Sequence, residues 1–430
     1  MAARPHPLWS VAAVLLTFIS SGAFIQLLPV AAPAIIKDWA LADAALALPM
    51  ALTLVGSSVG TVLGGIFSDV AGRRPLIAAS VALLGVFTGI SILASAPWHL
   101  MVTMFLGGAA MGCFFSPGLA LVTEIATPAR RPLAISLSVA SIPVGLTLSA
   151  AASAFILPAY GWQTLFVLVA LAAVPSFLLF VWFVPESPSF LATRPAREAE
   201  YREVMERLSL PPAEHAEEDT QAHLPLARRF ALLIAAAPAA TIGLFVMFLA
   251  TNMFGNAVLS WVPVAFSNLG FPLSFASGSL SGWTTATMLI TPVAGWLLGK
   301  YGFGVVGPAA SLITTVALVL LGTFAAPGAD TTVLWAMLAL GGLGTAGVVT
   351  SLYTLAAETF PARMRGSGLG ISDAVGRIGG VGGAFAGVYF LTAGGTRGFF
   401  YVLAAIMLFI TLLMLFLHRG QARGKAAPAA

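Results

Sequence analysis

Charged residues are missing from long intervals of this chain and crowd into the gaps between them. No charge occurs from Pro132 to Pro185, a run broken only at Pro158-Ala159-Tyr160-Gly161-Trp162. None occurs from Phe230 to Gly299, where the break falls near Asn268-Leu269-Gly270-Phe271-Pro272. An apolar helix needs roughly 20 residues to cross a bilayer, so each interval holds two spans joined by a tight turn. Read this way throughout, the pattern predicts twelve spans, near 9–36, 44–67, 75–96, 98–124, 132–157, 161–184, 230–267, 273–298, 303–326, 331–358, 366–393 and 397–418. The first apolar run continues past Ala34 with no cleavage site, so it reads as a span rather than a secretory leader.

One polar stretch interrupts the series, from Glu186 to Arg229. Ala196–Leu210 spaces Glu and Arg as a short helix would, and Pro211-Pro212 and an acidic, low-complexity run follow. The expected organisation is a bundle over 1–184, a cytoplasmic linker with a short helix over 185–229, and a second bundle over 230–430. The halves echo one another. Glu124-Ile-Ala-Thr-Pro128-Ala-Arg130-Arg131 returns as Glu358-Thr-Phe-Pro361-Ala-Arg363-Met-Arg365. Gly65-Ile-Phe-Ser-Asp69-Val-Ala-Gly72-Arg73-Arg74 has a weaker counterpart in Gly295-Trp-Leu-Leu-Gly299-Lys300-Tyr-Gly302. The fold class is therefore an all-α membrane protein, its twelve transmembrane helices forming two pseudo-symmetric six-helix bundles. Such duplication points to a carrier with a cavity between its halves.

Composition removes the soluble alternatives. Of 430 residues 59% are hydrophobic and 8% charged, against about 25% charged in a soluble domain, so most of the exterior must face lipid. The net charge of +4 is sorted by membrane side and predicts no nucleic-acid partner. With the N-terminus inside, every Lys and Arg except Lys37, Arg397 and the intramembrane Arg377 falls on the cytoplasmic side. The positive-inside bias places both termini in the cytoplasm of a multi-pass inner-membrane protein. Cys113 is the one cysteine, so no disulfide framework exists. No Gly-Lys-Ser/Thr phosphate loop, metal-ligand cluster or nucleophile–base pair occurs, so no ATP hydrolysis, metal, cofactor or enzymatic activity is expected.

The loop Gly65–Arg74 resembles the signature of the major facilitator superfamily, and the resemblance extends over essentially the whole chain. Pro185-Glu186-Ser187-Pro188 looks like that family's sugar-porter-type motif. Glu358–Gly380, with Gly376-Arg377-Ile378-Gly379, and Ser136–Gly145 are similar to the branch of aromatic-acid and metabolite:proton symporters. The resemblance implies two six-helix bundles, alternating access and a gating role at the cytoplasmic mouth for Asp69, Arg73, Arg74, Glu124, Arg131, Glu358, Arg363 and Arg365. The branch's span-1 Asp aligns with Phe24 here, and its span-4 Arg with Met104.

The sharpest chemistry lies in span 11. Asp373 and Arg377 are the ionisable groups between Arg365 and Arg397, and four residues apart they share a helix face. A lone charge at mid-membrane costs about 2.5–3.5 kcal/mol on insertion scales. Arg377 is the expected ligand of an anionic substrate, its planar fork suiting a carboxylate. Asp373 is its partner when empty and the candidate proton carrier; the competing reading is a structural ion pair. Asn252 and Asn256 in span 7, with Gln26 in span 1, are candidate cavity-lining residues, and Ser141 aligns with Arg377 through the internal repeat. Phe24, Trp261, Trp283 and Tyr353 are candidates for an aromatic wall. The expected function is proton-coupled uptake of a small organic anion, an aromatic or other carboxylate, by a monomer in the lipid bilayer. Drug or metabolite export by antiport and a non-transporting sensor are the alternatives.

Overall fold

The computed structural model describes residues 7–126, 131–192, 194–208, 238–360 and 365–426. The chain divides into two compact units, Met1–Ala216 and Glu217–Ala430. In the first, α1 is Pro7–Asp38, α2 Ala47–Ala71, α3 Arg73–Ile90, α4 Pro97–Ile125 and α5 Arg131–Phe183. Two short helices follow, α6 (Pro188–Ala192) and α7 (Glu198–Leu208). In the second unit α8 is Pro238–Asn268, α9 Leu273–Tyr301, α10 Phe303–Phe324, α11 Thr331–Thr359 and α12 Arg365–Ala426.

Helices α5 and α12 are each twice as long as one crossing requires. Both are interrupted by a glycine in left-handed backbone geometry, Gly161 at φ 78° and Gly395 at φ 60°. Packing shows that each doubles back there. Early in α5, Gly145 lies against Ile19 and Ala23 of α1. Late in α5, Trp162 donates its indole N–H to Asp38 at the end of α1, and Phe183 accepts from Ser10 at its beginning. One arm is thus parallel to α1 and the other antiparallel. In α12, Gly379 and Gly383 follow Leu249 and Met253 of α8 in parallel, then Thr396 donates to the Ala265 carbonyl and Leu417 reaches back to Gly243. Counting each arm, the described residues form twelve membrane-length segments. The expected five-residue break at Pro158–Trp162 is a single residue in fact.

Both units use one packing scheme. α1 pairs with α5, α2 with α4, and α3 with α4 and α5; likewise α8 pairs with α12, α9 with α11, and α10 with α11 and α12. Small residues permit the tightest pairs, because lipid offers no hydrophobic drive between helices and close backbone approach must supply the contact. A Cβ on Gly60 would stand 1.9 Å from the Ala109 carbonyl oxygen, and one on Gly145 2.0 Å from that of Ile19. Large apolar side chains such as Phe155, Trp182 and Leu412 point outward, as a lipid-facing surface requires.

Candidate functional site

In the second unit the charged pair acquires a third member. Arg377 Nε donates to Asp373 Oδ2 at 3.2 Å, and the Tyr353 hydroxyl donates to Asp373 Oδ1 at 3.1 Å. Tyr353 stands on α11 and meets the ring of Phe248 on α8 edge-on, with centroids 5.3 Å apart. At 1.5 Å per residue, Asp373 and Arg377 lie about 12 and 18 Å along α12, and Tyr353 about 9 Å from the end of α11. The group is thus well inside the apolar layer, yet the Arg377 and Asp373 side chains remain 25% and 37% exposed. Their opposite charges cancel, which lowers the cost of insertion. The guanidinium, the carboxylate and the Tyr353 phenol are thus each partly exposed.

Local sequence explains the placement. Gly376, one position before Arg377, has no room for a side chain: a Cβ there would meet Asn252 Nδ2 at 2.5 Å. Close contact of α12 with α8 on that side directs the neighbouring positions away from the seam. Asn252 and Asn256 are partly exposed on α8, and each donates its amide N–H back to its own helix, to the carbonyls of Phe248 (2.9 Å) and Asn252 (3.1 Å).

Several expected lining residues are placed elsewhere. Of the four rings expected in an aromatic wall, Tyr353 alone is exposed. Phe24 is 1% exposed, its ring filling the gap at Gly107 of α4. Trp261 is fully buried against Gly387 and donates to the Ala384 carbonyl at 2.8 Å; Trp283 is buried on Gly341 and Gly342 of α11. These rings are packing knobs inside their own units, and the holes that receive them are glycines on a facing helix. Ser141 is also buried and returns its hydroxyl to the Leu137 carbonyl. Gln26 is completely buried, not cavity-lining.

A second cluster gathers at the α2–α3 junction, and part of it escaped the sequence reading. Arg73 forms an ion pair with Glu124, which also accepts from the hydroxyls of Ser187 and Ser189. Glu186 is 3% exposed, and its Oε1 accepts from the backbone N–H groups of Arg73, Arg74 and Ser187 at 3.0, 3.0 and 2.9 Å. A carboxylate thus caps the first turn of α3, where N–H groups lack helical partners and the dipole favours negative charge. Arg74 donates to the Val181 carbonyl, binding the same corner to α5. Of the expected gating set, Arg73, Arg74 and Glu124 are placed here. Arg363 and the side chains of Asp69, Arg131, Glu358 and Arg365 lie outside the described residues. The motif Pro185–Pro188 marked this corner in sequence; what it grips is backbone, and no residue type signals that.

A family model described as Major Facilitator Superfamily matches residues 13–308 and again 279–430. The gallate transporter of Pseudomonas putida is 24% identical over 402 residues, covering 93% of this chain and 88% of its own. The 4-hydroxybenzoate transporter PcaK of Pseudomonas putida is 28% identical over 381 residues, with 84% and 81% covered. Among solved structures, a bacterial homolog of the human lysosomal transporter Spinster superposes with a TM-score of 0.78 over the full length of both chains, at 16% identity.

Proposed function

The chain belongs to the Major Facilitator Superfamily, and from that premise we propose that it takes up small aromatic carboxylates with a proton, binding them at Tyr353, Asp373 and Arg377. It is a multi-pass membrane transporter, not an enzyme, and its substrate is a small molecule carried by alternating access. The single observation that carries the substrate assignment is the partly exposed guanidinium of Arg377 held by a carboxylate of the chain itself. Asp373 imitates the ligand: it accepts from both Arg377 and Tyr353, as a substrate carboxylate would. The relatives that transport gallate and 4-hydroxybenzoate support the same class, since both compounds join a carboxylate to a hydroxylated ring. Charge sorting along the chain supports a cytoplasmic location for both termini.

The proton follows from the exchange. While Asp373 is ionised it occupies the guanidinium. A proton on its carboxylate weakens that pairing, and the incoming carboxylate takes over Arg377 and the Tyr353 hydroxyl, with its ring against Tyr353. One proton and one monoanion then cross together without net charge. In proteoliposomes, hydroxybenzoate is expected to accumulate when the entry side is acidified, with no current and no uptake of the matching amide. Asp373→Asn should still exchange labelled for unlabelled anion but lose accumulation driven by the pH gradient. Accumulation of cationic drugs but no carboxylate would replace this reading with export, and binding without flux would replace it with a sensor.

Tyr353→Phe removes one neutral donor to the bound carboxylate, a loss of about 1 kcal/mol. The apparent affinity for hydroxybenzoate should weaken about fivefold, with maximal uptake little changed; concentration-dependent uptake rates measure both.

A further inference from the structure

The first unit contains a polar pair that the transport reading does not use. Gln26 is 0% exposed, and neither its Oε1 nor its Nε2 has a hydrogen-bond partner. Ser149, 4% exposed, has an unpaired hydroxyl as well. Leaving such groups unsatisfied costs about 1–3 kcal/mol each, so the pair calls for a polar partner inside lipid. The asparagines of α8 show how cheaply such an amide can be satisfied, since both fold back to their own helix. Gln26 does not.

The two groups share one layer. α1 and the first arm of α5 run parallel and touch at Gly22 and Gly145, where a Cβ on Gly22 would stand 3.1 Å from the Gly145 Cα. Residues four positions on repeat the same helix face one turn higher, and those residues are Gln26 and Ser149. The same turn of α1 also forgoes one helical hydrogen bond. Pro29 has no N–H to give the Ile25 carbonyl, which therefore lacks its helical donor. Gln26 and Ser149 do not hydrogen-bond each other directly.

We propose that Gln26 and Ser149 hold a buried water molecule between α1 and α5. The donor set selects the ligand. A cation would satisfy Gln26 Oε1 and the Ile25 carbonyl but would face the Nε2 protons. An anion would suit Nε2 and be repelled by the oxygens. A neutral group that both donates and accepts fits all three, and two to four polar partners are what a buried water requires. The water completes the hydrogen bonding of the seam and fixes the register of α1 on α5.

The test is a double-mutant cycle on the full-length protein in detergent, read by thermal unfolding, together with a structure at a resolution that orders water. Ser149→Ala and Gln26→Leu should each lower the midpoint. The double variant, with no polar group left to satisfy, should recover at least half of the summed loss. The parent should show a density peak within hydrogen-bonding distance of Gln26 and Ser149 that the double variant lacks. Additive losses, a direct Gln26–Ser149 bond or an empty gap in the parent would overturn the proposal. Should Gln26→Leu fail to fold, Gln26→Met, closer in shape, completes the same cycle.

Discussion

Arg377→Ala is expected to lower the apparent affinity for aromatic carboxylates by about 100-fold or more, with the protein still present in the membrane. Truncating one partner of a desolvated, hydrogen-bonded charge pair costs 2–5 kcal/mol or more; this pair is partly exposed, which puts the loss in the lower part of that range, about 3 kcal/mol, each 1.4 kcal/mol being a factor of ten. Here the loss has two sources. The substrate carboxylate forfeits its cationic partner, and Asp373 is left as an uncompensated carboxylate in the apolar layer. Arg377→Lys keeps the charge but not the planar fork, and should fall between, roughly tenfold weaker. Pairing Arg377→Ala with Asp373→Asn separates the sources: the neutral pair should restore thermal stability to the parent level while the apparent affinity stays as weak as in Arg377→Ala. Uptake rates against substrate concentration, normalised to protein in the membrane, decide the matter. Unchanged affinity in both single variants would remove Arg377 from the binding site.

Gly72→Ala is expected to be among the most damaging single-methyl substitutions in the chain. Gly72 sits at φ 96°, and a Cβ there would approach Glu186 Oε2 to 2.5 Å. The backbone strain costs about 1–3 kcal/mol. Displacing the carboxylate also strips the acceptor from three backbone N–H groups, at about 1–3 kcal/mol for each group left buried. The thermal midpoint should drop by many degrees. Two other glycines resolve the contributions. Gly302, before α10, has a similar conformation at φ 74° but open space around its Cβ, so Gly302→Ala should carry the strain alone. Gly65 has a helical backbone and nothing within 4 Å, and Gly65→Ala should be silent. A ranking of Gly72 worst, Gly302 intermediate and Gly65 neutral supports the Glu186 cap; equal effects at Gly72 and Gly302 would show the cap contributes nothing.

The span pattern was legible because lipid imposes it directly: a charge-free interval of the right length has few alternatives. The Asp373–Arg377 pair was legible for the same reason, since a costly residue needs a partner and four-residue spacing supplies one. The buried aromatics were not. Phe24, Trp261 and Trp283 have the composition of a binding wall, but their environment is decided by Gly107, Gly387 and Gly341, glycines distant in sequence that open holes for them. Glu186 was hidden for a different reason. Its partners are backbone N–H groups of Arg73 and Arg74, more than a hundred residues earlier, and every residue has such a group. Gln26 shows the limit most sharply: polarity alone does not distinguish a side chain turned to a cavity from one sealed between helices.

The reversals at Gly161 and Gly395 bear on how the chain is made. With one non-helical residue between two crossings, the arms of α5 and of α12 are expected to enter the bilayer together as hairpins. Lengthening either turn with a flexible insert would uncouple that entry, and the damage would appear during biosynthesis, as protein with its last arm uninserted, before any fault in transport was seen.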